Sequence, residues 1–103
     1  AMTEDHTQKK NKKRKMEQDH QAGLDSRFKE AVQALKEEDY IDAMGLLQAI
    51  LIYEPENIKA MINLAVAYAE LAYYDRAKKI LHQVIGHEPD NEMAKRNLAI
   101  LKG

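Results

Sequence analysis

Cysteine is absent from this 103-residue chain, and so is tryptophan. Without a thiol the chain can form no disulfide, offers no cysteine nucleophile and cannot build a thiolate metal site. No apolar run approaches the ~20 residues that a membrane-spanning helix needs, so we expect no transmembrane segment. Glycine occurs four times and proline twice, which argues against a loop-rich or all-β fold. The remaining composition, 45% hydrophobic and 32% charged, is typical of one soluble domain.

Positive charge is concentrated near the N-terminus, although the formal net charge of the chain is only −1. The cations within seven consecutive positions are Lys9, Lys10, Lys12, Lys13, Arg14 and Lys15. Residues 1–23 contain too few apolar side chains to offset the conformational entropy of folding, so we expect a basic tail that is disordered or a frayed helix. Such a tail could bind nucleic acid or an anionic surface, or act as a nuclear localisation signal. A solvated charge run is the preferred interpretation, because no aromatic side chain accompanies the cations to stack on bases.

The rest of the sequence repeats with a period of 34, the distance between Pro55 and Pro89. The other pairs at this offset are Ala31 and Ala65, Val32 and Val66, Tyr40 and Tyr74, Ala43 and Ala77, Leu47 and Leu81, Glu54 and Glu88, and Asn57 and Asn91. A third, partial copy repeats Ala60, Asn63, Leu64 and Ala65 as Ala94, Asn97, Leu98 and Ala99. A period of this length is typical of stacked repeat architectures.

Each repeat unit predicts two helices, because its apolar residues recur at helical spacing. In the first unit the stripes are Leu24, Phe28, Ala31 and Leu35, then Ala43, Leu46, Leu47, Ile50 and Leu51. In the second they are Ala60, Leu64, Ala65 and Tyr68, then Ala77, Ile80, Leu81, Val84 and Ile85. Each proline should end the helix before it. Asp39 should cap the second helix, and Asp90 or Asn91 should cap a last helix with Ala94, Leu98 and Leu101 inward.

This pattern resembles the tetratricopeptide repeat. The resemblance covers residues 24–103, as one repeat at 24–57, a second at 58–91 and a partial repeat or capping helix at 92–103. It rests on the small residues where helices touch, on the packing aromatics Tyr40 and Tyr74, and on the two prolines. Glu38 and Ala72 depart from the family pattern, since glycine is common at their position. The resemblance implies an all-α fold of stacked helix-turn-helix hairpins, a short α-solenoid.

The resemblance also implies a concave binding face that is formed by the first helix of each repeat. The residues that we expect to contact a partner there are Phe28, Val32, Lys59, Ile62, Asn63, Val66, Met93 and Arg96. Most of them are apolar, as a groove for a peptide or an amphipathic helix requires. We therefore expect a non-catalytic protein–protein interaction module, acting as an adaptor, a scaffold or a chaperone-like protein. The alternative is a homo-oligomerising scaffold whose basic tail binds nucleic acid or an anionic surface.

One ligand known for this family is the acidic C-terminal tail of cytosolic heat-shock chaperones, which is held by lysines, arginine and asparagines. The corresponding positions of this chain hold Phe28, Val32, Asn63, Met93 and Asn97. Only Asn63 matches the pattern. We do not expect this ligand, because the cations that would hold its carboxylates are missing.

Catalytic chemistry has little support in the sequence. Ser26 is the only serine, and His82 and His87 lie five residues apart, so on one helix they point in different directions. The glycines form no phosphate-binding loop. We expect no enzyme, no metal and no cofactor, and we expect the protein in the cytoplasm, or in the nucleus of a eukaryote.

Overall fold

A computed structural model of the chain describes residues 21–102, and this part contains five helices. Helix α1 includes residues 21–36. It is followed by α2 (Tyr40–Tyr53), α3 (Ile58–Glu70), α4 (Tyr74–His87) and α5 (Glu92–Lys102). Helix α3 packs against α2 on one side and α4 on another, α4 packs against α5, and α3 also touches α5. The described residues contain no strand, and the predicted all-α fold of stacked hairpins is confirmed.

Alanine is prominent among the buried residues of this stack. Each of the five helices contains at least one completely buried alanine, and these residues are Ala31, Ala43, Ala60, Ala67, Ala77 and Ala94. The large side chains that fill the space beside them belong to the second helices, and those of Leu47, Ile50, Leu81 and Val84 are the largest fully buried ones. Small residues let two helix backbones approach, while large ones fill the gaps to crystal-like density. One core cluster therefore runs through all five helices.

The links before α3 and α5 are built in the same way. The Asn57 side chain accepts a hydrogen bond from the Ala60 N–H at 3.0 Å, and its amide donates to Glu54 at 3.1 Å. Asn91 repeats this scheme, accepting from Ala94 at 2.9 Å and donating to a glutamate carboxylate at 3.1 Å. Each asparagine thus satisfies an orphan helix N–H and fixes the preceding carboxylate. Asn91, one of the two residues predicted for this role, is the one that caps α5.

The turns inside the repeats contain two residues in the left-handed region. Glu38 has a φ of 62° and Ala72 a φ of 65°. At the end of α3 the Ala72 N–H donates to Ala69 O at 3.0 Å and the Tyr73 N–H donates to Tyr68 O at 2.8 Å. The same two bonds close the turn at Glu38. This pair of bonds is the Schellman motif, in which glycine is the residue without a steric penalty.

Three other predictions concern the ends of elements and the tail. Residues 21–23 are helical and continue into α1, so the helix begins before the predicted domain start at residue 24. Asp39 caps α2, as expected, by accepting the Asp42 N–H at 3.3 Å. The basic cluster at residues 9–15 lies outside the described residues.

No helix within residues 21–102 is both long enough and apolar enough to cross a membrane.

Candidate functional site

The residues predicted to bind a partner all lie on α1, α3 and α5, the first helices of the three repeat units. Phe28 and Val32 belong to α1, Met93 and Arg96 to α5, and the other four to α3 between them. Helix α3 contacts α5, and residues of α1 and α3 line one cleft. We call the surface made by these three helices the binding face.

The cleft lies at one end of the binding face, where α1, the end of α2 and the start of α3 meet. Its volume is about 340 Å³, which is large enough for a bulky side chain of a ligand. The residues that line it are Leu24, Asp25, Phe28, Lys29, Ile50, Glu54, Asn57 and Lys59. Buried Leu24 and Ile50 and half-buried Phe28 supply its apolar walls. Two carboxylates and two ammonium groups surround them, so the rim carries no net charge.

Two of the predicted binding residues, Phe28 and Lys59, are thus brought together in one cleft. Sequence reasoning missed Glu54 and Asn57 as cleft residues, because they belong to the link before α3. Their repetition at Glu88 and Asn91 was the available signal, although by itself it indicates a repeat and not a cleft.

The exposure of the remaining predicted residues differs widely. Val32, Asn63 and Val66 are half-buried, whereas Arg96 and Met93 are exposed, the latter at 58%. Such side chains can contact a ligand that lies along the face.

Ile62 does not fit the role predicted for it. Its side chain is only 5% exposed and belongs to the core cluster. The reason is that α3 lies between α2 and α4 and touches α5 as well, so the neighbouring helices cover most of its circumference. Ile62 contributes to folding in this structure and offers little surface to a ligand.

A cluster of aromatic and polar side chains joins α3 to α4. The Arg76 guanidinium carbon lies 5.3 Å from the ring centroid of Tyr73 and 5.8 Å from that of Tyr68. The two rings meet edge to face at 6.1 Å, and Gln48 donates a hydrogen bond to the Tyr68 hydroxyl at 2.8 Å. These cation–π and aromatic contacts hold the α3–α4 turn together.

Tyr40 connects the start of α2 to the end of α3. Burial raises the pKa of its hydroxyl, and the negative charges of Glu70 and Glu38 and a hydrogen bond to Glu70 raise it further. A neutral phenol is therefore favoured here, donating to the Glu70 carboxylate. Neither this pair nor the Arg76 cluster was predicted, because both join residues whose proximity depends on how the helices stack.

Within residues 21–102 no group of three or more His, Asp or Glu side chains is placed to hold a metal ion. The predicted anion-binding lysines and arginine lie outside these residues, and the role of the basic tail stays a prediction.

Comparison with known families agrees with the geometry of the stack. The family model described as "Tetratricopeptide repeat" matches residues 34–101, well over half of the chain. This range includes α2, α3 and α4 entirely, α5 except its last residue, and the last turn of α1. No curated protein sequence matches the chain.

Proposed function

The chain belongs to the tetratricopeptide repeat family, and we propose that it is a non-catalytic module that binds a peptide or an amphipathic helix of another protein on its binding face. Repeats of this family generally mediate protein–protein interactions. An adaptor or scaffold role follows if the bound protein is one member of a larger assembly.

The cleft beside Phe28 is the observation that carries this proposal. An aromatic wall over buried aliphatic side chains suits an apolar anchor residue, and such anchors supply most of the energy of an interface. Asp25, Lys29, Glu54 and Lys59 line the same cleft. Because these charges balance, a ligand with an apolar anchor and uncharged or mixed flanks fits better than a strongly acidic or basic one.

The half-buried residues of α3 and the exposed residues of α5 extend the contact beyond the cleft. Neighbouring helices lie 8–10 Å apart, so the path from α1 across α3 to α5 measures about 20 Å. An extended peptide rises about 3.3 Å per residue and would need about six residues to cover it. Asn63 lies near the middle of this path, where its amide is suited to a hydrogen bond with a ligand backbone.

The test starts from peptides selected on the full chain from a random display library. Each selected peptide is then titrated by fluorescence anisotropy against the wild type, Phe28→Ala and the double variant Lys29→Glu/Lys59→Glu. We expect Phe28→Ala to weaken binding at least tenfold, the loss typical of a central anchor. The double variant should weaken peptides with acidic flanks and strengthen those with basic flanks.

Lys79→Glu is the matched control, because Lys79 is exposed on α4 and lies outside the cleft. This variant should bind each peptide as the wild type does. Far-ultraviolet circular dichroism checks that all variants keep their helices. If folded Phe28→Ala binds the selected peptides with unchanged affinity, the cleft is not the anchor site and the proposal fails.

A further inference from the structure

Helix α2 is apolar on every side, although one side of it faces solvent. Only one of its 14 residues, Asp42, is charged. Its inner side buries Ala43, Leu47 and Ile50. On the opposite side Ile41 is 68% and Ile52 is 75% exposed. A helix without a polar side is usually buried, so the exposed side needs an explanation.

The same position in the next repeat is built differently. Helix α4 carries charged residues at four of its first six positions, namely Asp75, Arg76, Lys78 and Lys79. Ile41 and Ile52 correspond, at the offset of 34, to Asp75 and Gly86. The two exposed isoleucines of α2 are thus not a feature of the repeat, since α4 has no counterpart to them.

The exposed side of α2 forms a regular seam. Its residues are Ile41, Gly45, Gln48 and Ile52, at successive spacings of four, three and four. These are the spacings by which two helices pack along a coiled-coil seam. We call these four residues the outer seam.

The outer seam is complementary to itself. If two copies of α2 pair antiparallel about a two-fold axis, Ile41 of each lies opposite Ile52 of the other, and Gly45 lies opposite Gln48. Nothing lies within 4 Å of a Cβ placed on Gly45, so there is room for the longer glutamine. The Gln48 amide donates to the Tyr68 hydroxyl of α3 at 2.8 Å, so it is turned towards α3 and only the aliphatic part of this side chain is left to face the other copy.

We propose that two copies of this chain associate through the outer seam, with the two α2 helices antiparallel. The charge of α2 does not oppose this direction, because the antiparallel pair separates the two Asp42 carboxylates by about 13 Å along the axis. That distance exceeds the Debye length of about 8 Å at physiological ionic strength. In addition, the two helix dipoles point in opposite directions only in the antiparallel pair, and this arrangement is favourable.

A second copy is a better occupant than the N-terminal segment of the same chain. From residue 3 to residue 20 the sequence offers one large apolar side chain, Met16, among six cations. Such a segment cannot cover two isoleucines that are about 16 Å apart on one helix. A second α2 supplies both apolar side chains in the required register.

The area of the seam indicates a weak complex. Helix α2 is about 21 Å long, and one such contact falls well short of the ~800 Å² per partner of a standard interface. We therefore expect a dissociation constant on the order of 100 µM. At each end of the paired helices, Asp39 of one copy approaches Glu54 of the other. The two carboxylates repel each other, and salt screens this repulsion. Association should be as strong or stronger in ~0.5 M salt, whereas contacts made by the basic tail would weaken.

Sedimentation equilibrium of the full chain from about 10 to about 500 µM tests the proposal, since these concentrations bracket the expected constant. The average mass of the wild type should rise from monomer towards dimer. Ile41→Glu and Ile52→Lys should each weaken association at least fivefold. Their combination should restore it relative to both single variants, because the carboxylate at position 41 then faces the ammonium group at position 52 of the other copy. A parallel pair would instead place like charges together.

Ile100→Glu on α5 is the matched control, since Ile100 is 69% exposed and lies outside the outer seam. It should leave association unchanged, and circular dichroism should show that every variant is folded. A wild type that stays monomeric to about 500 µM, or single variants that dimerise as well as the wild type, would overturn the proposal. A combined variant weaker than both single variants would overturn the antiparallel arrangement. Peptide binding at the cleft should be unaffected by Ile41→Glu, so this proposal and the proposed function fail separately.

Discussion

Replacing Ala72 with glycine should make the protein more stable. Ala72 ends α3 with a φ of 65°, a conformation that costs a residue with a Cβ about 1–2 kcal/mol. The side chain is exposed, so its removal loses little buried surface. Glycine adds freedom to the unfolded chain, which costs about 0.4–1 kcal/mol. The difference predicts that Ala72→Gly raises the free energy of unfolding by about 0.5–1 kcal/mol.

Ala99→Gly makes the identical chemical change in a different backbone conformation. Ala99 is exposed within α5 and does not have a positive φ. There glycine should lower the free energy of unfolding by about 1 kcal/mol, the usual difference in helix propensity. The two variants therefore differ in the sign of the effect, and only the backbone angle explains the difference.

Urea titration and thermal unfolding, both followed by circular dichroism, measure these effects. For a domain of this size 1 kcal/mol shifts Tm by about 4–8 °C. Ala72→Gly should move the midpoint upwards and Ala99→Gly should move it downwards. If Ala72→Gly is destabilising, or if both variants shift in the same direction, the left-handed turn does not store the strain assigned to it here.

Three further predictions concern local features of the structure. Asn57→Ala should lower the free energy of unfolding by about 1 kcal/mol, whereas Asn57→Ser should keep most of the capping interaction with the Ala60 N–H. If urea titration shows the same loss of unfolding free energy for both variants, the cap is refuted. Gly45→Ala should raise the unfolding free energy by about 0.5–1 kcal/mol at low protein concentration, because the added Cβ meets no atom within 4 Å; a destabilised variant would contradict the open space. The Tyr40 phenol should ionise above its ordinary pKa of 10.0 in ultraviolet titration, and Glu70→Gln should lower that pKa. Since the folded-state pKa is the higher one, the contribution of Tyr40 to stability is complete below about pH 10 and is lost as pH rises through the folded value. If Glu70→Gln leaves the pKa of Tyr40 unchanged, the assigned contact between the two residues is refuted.

Much of the fold could be predicted because its determinants are local. A proline ends the helix that precedes it, and an asparagine caps the next one through a bond to the N–H three residues away. Pro55 and Pro89, which are 34 residues apart, located the links before α3 and α5 without any knowledge of tertiary contacts. The small residues Ala31 and Ala65 marked where helices touch, and both are buried.

The candidate site could be predicted only in part, because periodicity tells which residues share a helix face and not what covers that face. Phe28 and Lys59, both predicted to contact a partner, line the cleft, whereas Ile62 is buried where α3 meets its neighbours. Burial depends on the position and angle of adjacent helices, which arise from packing between residues far apart in sequence.

The sequence by itself thus determined the helices, their ends and their order, since each follows from interactions within a few residues. Only the tertiary structure decided which apolar side chains are core and which are surface. It placed Ile41 and Ile52 on the uncovered side of α2, although both are as apolar as buried Ile50. The physical reason is that the hydrophobic effect favours burial without specifying the partner, and the geometry of the stack determines which faces find one.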